Sequence, residues 1–293
     1  MIKKILIFSL VSSTIHADMV EQNFVNDVAK VVLMGSQKSF ESGAHDLKST
    51  EEMKTIFAAF RYNFESTDDL NIYLNAAGGV AKLTTSDPLV GNVGDYAKLE
   101  AMNFELGGGV RYKIDSSSYI AVGGGVIYSQ IDPSFTYNNA LTLPNRTRID
   151  ALYNSSDALD VYTYQANIKY DYETNINGYE PYVTAFLGYF SSDVDGLDER
   201  SNSTLAHIKT GIYSPELVKI LNLPFKVEAY AQETFLMGDI KENMDTSNIT
   251  QVGMAFHLYT DTLIKYVNNV YFDVNYVTGE NIEGFHMGVS AKF

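Results

Sequence analysis

The chain has 293 residues, 45% apolar and only 19% charged, which excludes a disordered or low-complexity protein. Asp and Glu number 36 against 21 Lys and Arg, and the formal charge of −15 excludes the basic surface that nucleic acid requires. No cysteine is present, so a disulfide framework, a thiolate metal site and a Cys nucleophile are excluded as well.

The chain opens Met1-Ile2-Lys3-Lys4, continues through the apolar run Ile5 to Val11, and reaches Ala17 before Asp18. A basic start, a short apolar run and a small residue are the parts of a secretory signal, with cleavage expected after Ala17. The apolar run falls short of the roughly 20 residues that span a bilayer. No later segment is apolar and long enough for a spanning helix. A membrane protein without such helices has to be a closed barrel, because lipid offers unpaired backbone groups no partner.

Residues 18–40 form an N-terminal segment with two readings. The stretch 28–38 is apolar enough for a first strand. Val20, Phe24, Val28, Val31 and Val32 also recur at helical spacing, which would place a short helix at a barrel mouth or inside the lumen. From residue 41 to 293 the pattern is that of strands, helped by 21 Tyr, 16 Phe and 21 Gly against 6 Pro. In Leu99 to Ile114, Met102, Phe104, Leu106, Val110, Tyr112 and Ile114 share one face, and Asn103, Glu105, Arg111 and Lys113 share the other. Val161 to Tyr172 sets Tyr162, Tyr164, Ala166, Ile168, Tyr170 and Tyr172 against Thr163, Gln165, Asn167, Lys169 and Asp171. The same alternation recurs in Thr55 to Phe64, Gln251 to Tyr259 and Asn269 to Tyr276, whereas Tyr179 to Phe190 is apolar on both faces. Tyr near strand ends suits an interfacial aromatic girdle.

Strands are expected near 28–38, 53–64, 70–83, 99–114, 118–130, 158–173, 179–190, 203–213, 224–236, 248–259, 268–277 and 282–293. Long connections at 39–52, 84–98, 131–157, 191–202 and 237–247 alternate with short ones at 65–69, 114–118 and 173–179. A bacterial barrel has long external loops, short periplasmic turns and an even strand number. The expectation is an all-β, transmembrane, antiparallel up-and-down barrel of about 12 strands, with a possible short N-terminal helix. Its place is the outer membrane of a Gram-negative cell.

The chain ends Phe285-His286-Met287-Gly288-Val289-Ser290-Ala291-Lys292-Phe293, with Phe285, Met287, Val289 and Phe293 on one face. Such an ending resembles the signal that outer-membrane proteins present to the barrel assembly machinery. The hairpin from Val270 to Val289, with Thr278-Gly279-Glu280-Asn281 at its tip, resembles the closing hairpin of autotransporter barrels. Autotransporters carry a long passenger, and here only a short stretch separates Ala17 from the clear strands, so the resemblance is to solitary barrels without one. It implies fold and location, and no activity.

Chemistry is sparse. No Gly-x-Ser-x-Gly occurs, and His45, His207, His257 and His286 have no local catalytic or metal partner. Asp193, Asp195, Gly196 and Asp198 resemble part of a calcium loop without its full ligand series. No cofactor and no enzymatic activity are expected. Arg61, Glu105, Arg111, Lys113, Lys169, Asp171, Lys209, Lys226, Glu228 and Asp273 are expected to line the lumen, where mixed charges either pair and close it or set the selectivity of a pore. The leading expectation is a passive, porin-like narrow channel or a structural barrel in contact with outer-membrane lipid. The alternatives are a surface interaction protein acting through long external loops on an unknown ligand, a barrel hydrolase using the inward His, and a soluble secreted β-protein.

Overall fold

Side chains alternate along a strand, so a two-faced sequence becomes a two-faced sheet, and this sheet closes on itself. The computed structural model describes residues 21–34, 43–47, 51–65, 67, 69–85, 95–138, 146–154, 158–260 and 269–292. Residues 1–20, with the expected signal peptide, lie outside them. The strands are β1 (Gly43–Leu47), β2 (Glu51–Glu65), β3 (Leu70–Thr85), β4 (Tyr96–Lys113), β5 (Ser118–Thr136), β6 (Leu159–Glu173) and β7 (Glu180–Val194). They continue as β8 (Arg200–Tyr213), β9 (Val218–Ile220), β10 (Leu223–Gly238), β11 (Asn248–Tyr259), β12 (Asn269–Gly279) and β13 (Ile282–Lys292). Among the described residues three helices accompany them: α1 (21–34), α2 (Arg146–Tyr153) and α3 (Asp239–Met244).

Each barrel strand pairs antiparallel with its neighbours, and β1 joins the two ends of the sheet, with Gly43 opposite both Thr55 of β2 and His286 of β13. The three-residue β9 pairs only with the start of β10, so twelve of the thirteen strands form the wall. At the short-turn end, Asn177 (φ 56°) and Gly178 (φ 87°) make the two-residue turn with positive φ that matches strand twist.

The first strand was misplaced by the sequence. Residues 28–34 are helical, and β1 lies at Gly43–Leu47, inside the stretch expected to be a long connection. The β-branched Val28, Val31 and Val32 favour a strand locally. Packing overrides that preference, because α1 is surrounded: Phe24, Val25, Val28, Val31, Val32, Leu33 and Met34 are at most 1% exposed. From Val28 to Met34 every residue of the helix is buried, Lys30 included, which is the burial of a helix enclosed on all sides. Lys30, also buried, is paired with Asp27 at 3.2 Å. Several expected loops are shorter than expected as well. β5 runs to Thr136, β7 to Val194, and β8 starts at Arg200.

The polarity of both faces inverts along the strands. On β4, Val110, Leu106, Phe104 and Met102 point outward and are exposed, and beyond them Glu100 and Lys98 take the outward positions. The interior does the opposite, passing from Arg111 and Glu105 to buried Ala101, Leu99 and Ala97. The same crossing separates Ile56 from Lys54 on β2, Val80 from Lys82 on β3, Tyr128 from Gln130 on β5 and Phe285 from Glu283 on β13. An apolar exterior is stable only against an apolar surrounding, so the crossing marks one edge of a lipid-facing band. Tyr rings stand along it with their hydroxyls reaching polar groups: Tyr128 donates to Asp160 at 2.7 Å, Tyr189 to Asn202 at 2.8 Å and Tyr276 to Glu283 at 2.5 Å. Outward Tyr62, Tyr112, Tyr170 and Tyr172 lie near the other ends of their strands.

Beyond the crossing the strands form a crown, charged outside and apolar inside. Lys54–Glu52 (2.7 Å), Lys98–Glu100 (2.8 Å) and Arg200–Asp193 (3.1 Å) pair on its surface. Its interior is a single apolar cluster in which α1 meets Met53, Leu83, Leu99, Ile127, Ile131, Val161, Phe190, Leu205, Leu236, Ile249 and Val277. A helix with side chains is about 10–12 Å across, enough to fill much of a small barrel's interior. α2 and α3 add Ile149, Leu152, Tyr153, Ile240 and Met244 from the connections above. The ring of Phe24 on α1 lies 4.7 Å from Tyr153 on α2, which in turn stands 5.5 Å from Phe135.

Candidate functional site

Below α1 the interior is polar, and its two walls differ. On the β7–β12 wall, Glu228 is a hub. Tyr182 donates its hydroxyl to it, Lys209 Nζ lies 3.0 Å away, and His257 Nε2 lies 2.8 Å away. Asn269 Nδ2 donates to His257 Nδ1 at 3.0 Å, which puts the imidazole proton on Nε2, toward Glu228. Both ring nitrogens are thus engaged, and the ring is stacked on Tyr271 and meets Tyr213 edge-on. His257 serves as a strut and presents no free nitrogen to a substrate. Asp273 accepts from Tyr230 (2.8 Å) and Asn275 (2.7 Å), and Lys226 donates to both oxygens of Glu180 (2.8 and 2.9 Å). His207 stacks on Phe186 at 4.8 Å, away from His257, and the side chains of His45 and His286 lie outside the described residues.

Removing the hub charge strands its partners. Glu228→Gln is expected to cost about 3 kcal/mol or more, because breaking a buried pair leaves the remaining charge uncompensated. Urea unfolding in detergent micelles measures it, and an unchanged midpoint would show the network to be dispensable.

The β2–β6 wall is looser. Arg61 Nε donates to Asn75 at 2.7 Å and its guanidinium lies 4.6 Å over the Tyr73 ring. Arg111 lies 3.9 Å over Tyr119 and 3.7 Å from Asp171, which also meets Lys169 (2.8 Å) and Thr184 (2.8 Å). Glu105 accepts from Gln165 at 2.6 Å. Lys113 is half-buried at the short-turn end of β4. Of the lumen residues named from sequence, Lys209 joins Glu228, and Arg111 and Lys169 join Asp171; Arg61, Glu105, Lys226 and Asp273 meet other partners, so the set is not gathered into one centre.

Sequence reasoning missed the inward tyrosines and their glycine seats. Tyr73 sets its hydroxyl against Gly109 and Gly123, Tyr182 lies over Gly211, and Tyr230 lies over Gly253. The two Gly-Gly-Gly runs, 107–109 and 123–125, were the visible signal, and they lie in register with each other. Outward on the last strand, Phe285 (69% exposed), Met287 and Val289 stand on the lipid-facing side, and Phe293 lies outside the described residues. Asp193, expected in an acidic loop, lies in β7 one residue before its end and pairs with Arg200.

Above the crown, Asp150 of α2 accepts from Tyr137 (2.8 Å) and Asn154 (2.9 Å) and lies 3.4 Å from Arg146. The Asn154 amide first, then the Tyr137 hydroxyl, hold its carboxyl below the ordinary Asp range. A lowered folded pKa contributes stability above the unfolded value, about 4, and the contribution is lost as pH falls through the folded value. Amide protection of α2, corrected for intrinsic exchange, is expected to fall in acid. Asp150→Asn is expected to flatten that dependence, and equal pH profiles for both proteins would remove the carboxylate from the explanation.

No protein-family model and no curated protein sequence matches the chain. Solved structures do. The β-domain of the Bordetella autotransporter BrkA aligns with TM-score 0.58 and 12% identity, over 85% of this chain and 94% of that one. The translocator domain of the autotransporter NalP from Neisseria meningitidis aligns with TM-score 0.57 and 11% identity, over 95% of each chain. At these identities the likeness concerns fold. In fold, the chain is an autotransporter-like transmembrane β-barrel.

Proposed function

We propose that the protein is a closed outer-membrane barrel that holds a rigid crown at the cell surface, a structural and surface-display role without catalysis or free solute passage. The observation that carries this reading is the apolar cluster of α1 with the crown wall, capped by α2 and α3. A path for water needs continuous polar lining, and here the buried Thr85, Ser192, Ser201 and Ser203 are interleaved with the apolar side chains of the cluster that α1 fills. The crown, with its charged exterior and helices at its top, is the surface available to an external ligand. In this reading residues 1–17 are a cleaved signal peptide, 18–40 supply the plug and 41–293 the wall. Phe285, Met287, Val289 and Phe293 are the face read by the barrel assembly machinery, and Arg61, Glu105, Arg111, Lys113, Lys169, Asp171, Lys209, Lys226, Glu228 and Asp273 line the vestibule below the plug. A narrow channel is the second reading, favoured by the exposed Arg61 in the lower interior, and it requires α1 to leave its seat.

The absence of cysteine makes the orientation directly testable. Arg146→Cys and Lys98→Cys on the crown are expected to react with a membrane-impermeant maleimide on intact cells. Lys113→Cys, in the vestibule, is expected to react only after the outer membrane is breached. The opposite order would turn the barrel over and end the surface-display reading.

A further inference from the structure

The β2–β3 and β4–β5 turns are closed by polar side chains: Thr67 Oγ1 accepts from the amide of Leu70, and Asp115 accepts from that of Ser117. The connection from β8 to β10, which contains β9, is of another kind. Leu217, Val218 and Ile220 are half-exposed, and Leu221 at its tip is 82% exposed. Its two charged residues, Glu216 and Lys219, pair with each other at 3.8 Å.

The tip is also strained. Leu221 (φ 54°) and Asn222 (φ 67°) make a two-residue turn with positive φ at both positions. Such turns favour Asn, Asp and Gly, and the β6–β7 turn has Asn177 and Gly178 in the same places. Leucine in a left-handed conformation carries a backbone penalty. A side chain so exposed finds little to pack against within the chain, so what offsets the penalty lies outside it.

The register says what lies there. Tyr213 opposes Glu228 and Val218 opposes Phe225, five steps along one strand against three along the other. The two extra residues form a bulge, beyond which the hairpin resumes with its faces in phase. Val218, Phe225, Leu258 and Val270 then stand in one row across β9, β10, β11 and β12. Phe225 stacks on the exposed Phe256 at 6.4 Å, and Phe256 on Phe272 at 6.3 Å, so the row belongs to the lipid-facing side. Depth agrees. The outward apolar face runs from Ile56 to Phe64 on β2 and from Met102 to Tyr112 on β4, nine and eleven residues. On β10 it starts at Ala231, below the outward Glu233, whose carboxylate accepts from Asn248 and Thr250. Nine to eleven residues down from Ala231 end between Leu223 and Leu221.

We infer that the β9–β10 hairpin is a lipid anchor, with Val218, Ile220 and the strained Leu221 entering the boundary of headgroups and acyl chains in the leaflet at the short-turn end. Lipid is the occupant, and a water-soluble partner is not, because the outward row of the hairpin continues the lipid-facing band at the same depth. The inference rests on the place of the barrel in the membrane and is independent of whether α1 closes the lumen.

The chain has no Trp, so an introduced indole is a clean reporter. Single-Trp variants of the full barrel are reconstituted into phosphatidylcholine vesicles with and without lipids brominated on the upper acyl chain. Met254→Trp, on the lipid face, is the immersed reference, and Thr147→Trp, exposed on α2, is the aqueous one. Leu221→Trp is expected to emit to the blue of Thr147→Trp and to be quenched about half as strongly as Met254→Trp or more, as an indole at the interface is. Emission and quenching equal to those of Thr147→Trp overturn the inference and assign the exposed side chains to a soluble partner. Indole itself seeks the interface, so a second measurement reads the leucine through a neighbour. Val218→Trp is compared with the same variant carrying Leu221→Asn, a residue that suits the turn and lets the hairpin form. Quenching is expected to fall about twofold or more, because interfacial binding scales with the apolar area immersed. Undiminished quenching overturns the anchoring role of Leu221. Heat-modifiable migration on gels confirms that each variant is folded.

Discussion

Reconstituted into planar bilayers, the folded barrel is expected to be electrically silent, and a single charge placed on α1 is expected to make it conduct. Val31 is fully buried in the cluster that fills the crown. Val31→Asp would put a carboxylate among apolar side chains, at a cost of several kcal/mol unless it finds water. The wall is a hydrogen-bonded ring and resists moving, whereas α1 is seated by apolar contacts in large part and can be displaced. The charge therefore acts on the plug. The expected record is no steps for the native protein and discrete, salt-dependent steps for Val31→Asp, with Val31→Ile remaining silent. Steady conductance from the native barrel at the level of the Asp variant would show that α1 does not seal it.

The second large effect concerns assembly of the wall. Gly109 and Gly123 face each other on β4 and β5, and the Tyr73 hydroxyl occupies the space above both. A Cβ built on Gly109 runs into the Tyr73 hydroxyl and also into the backbone carbonyl of Val122. A side-chain end can move aside; a ladder carbonyl cannot move without disturbing its strand. Gly109→Val is thus expected to reduce the heat-modifiable, folded fraction severely, by overpacking of about 1–3 kcal/mol or more. Adding Tyr73→Ala is expected to restore only part of it, because the backbone clash remains. Full rescue by the second change would place the whole constraint on the tyrosine. A normally folded Gly109→Val barrel would show that the wall opens to admit the branch.

Strands with one greasy and one polar face were legible without a structure. β6, β11 and β12 keep one pattern below the crossing, from Tyr162 to Tyr172, Gln251 to Leu258 and Val270 to Tyr276 with Tyr271 as the exception, so their lumen and lipid faces there could be read from alternation; Val161, Ile249 and Val277 turn inward beyond it. β7 could not be oriented, because Phe186 and Phe190 point inward while Leu187 and Tyr189 point outward, and both sets are apolar. The cause is the crown: a strand that leaves the lipid band exchanges its greasy face for the other one, and a window spanning the exchange shows no contrast. β1 was missed for a different reason. Gly43-Ala44-His45-Asp46-Leu47 has little periodicity, and it is a strand because the backbones of β2 and β13 leave a place for it. α1 was undecided because its valines favour extended backbone and its spacing favours a helix. The clusters around Glu228 and Asp171 needed the register, which joins residues from β6, β7, β8, β10 and β11 that no local motif connects.

The reversal of polarity along the strands also fixes how deep the protein sits. Sliding inward by two residues would move the barrel by roughly 5–7 Å, the rise of two strand residues reduced by tilt. Lys54, Lys82, Lys98 and Glu100 would then face acyl chains together. Sliding outward would lift Ile56, Val80, Met102 and Phe285 into water. Each direction is penalised on many strands at once, at up to about 2–4 kcal/mol for a cation carried toward the midplane and less near the interface. A chain with no tryptophan to mark the interface is thereby held at one level. The height at which α2 stands above the lipid is then a fixed dimension, set by how far β4 and β5 run past Glu100 and Gln130.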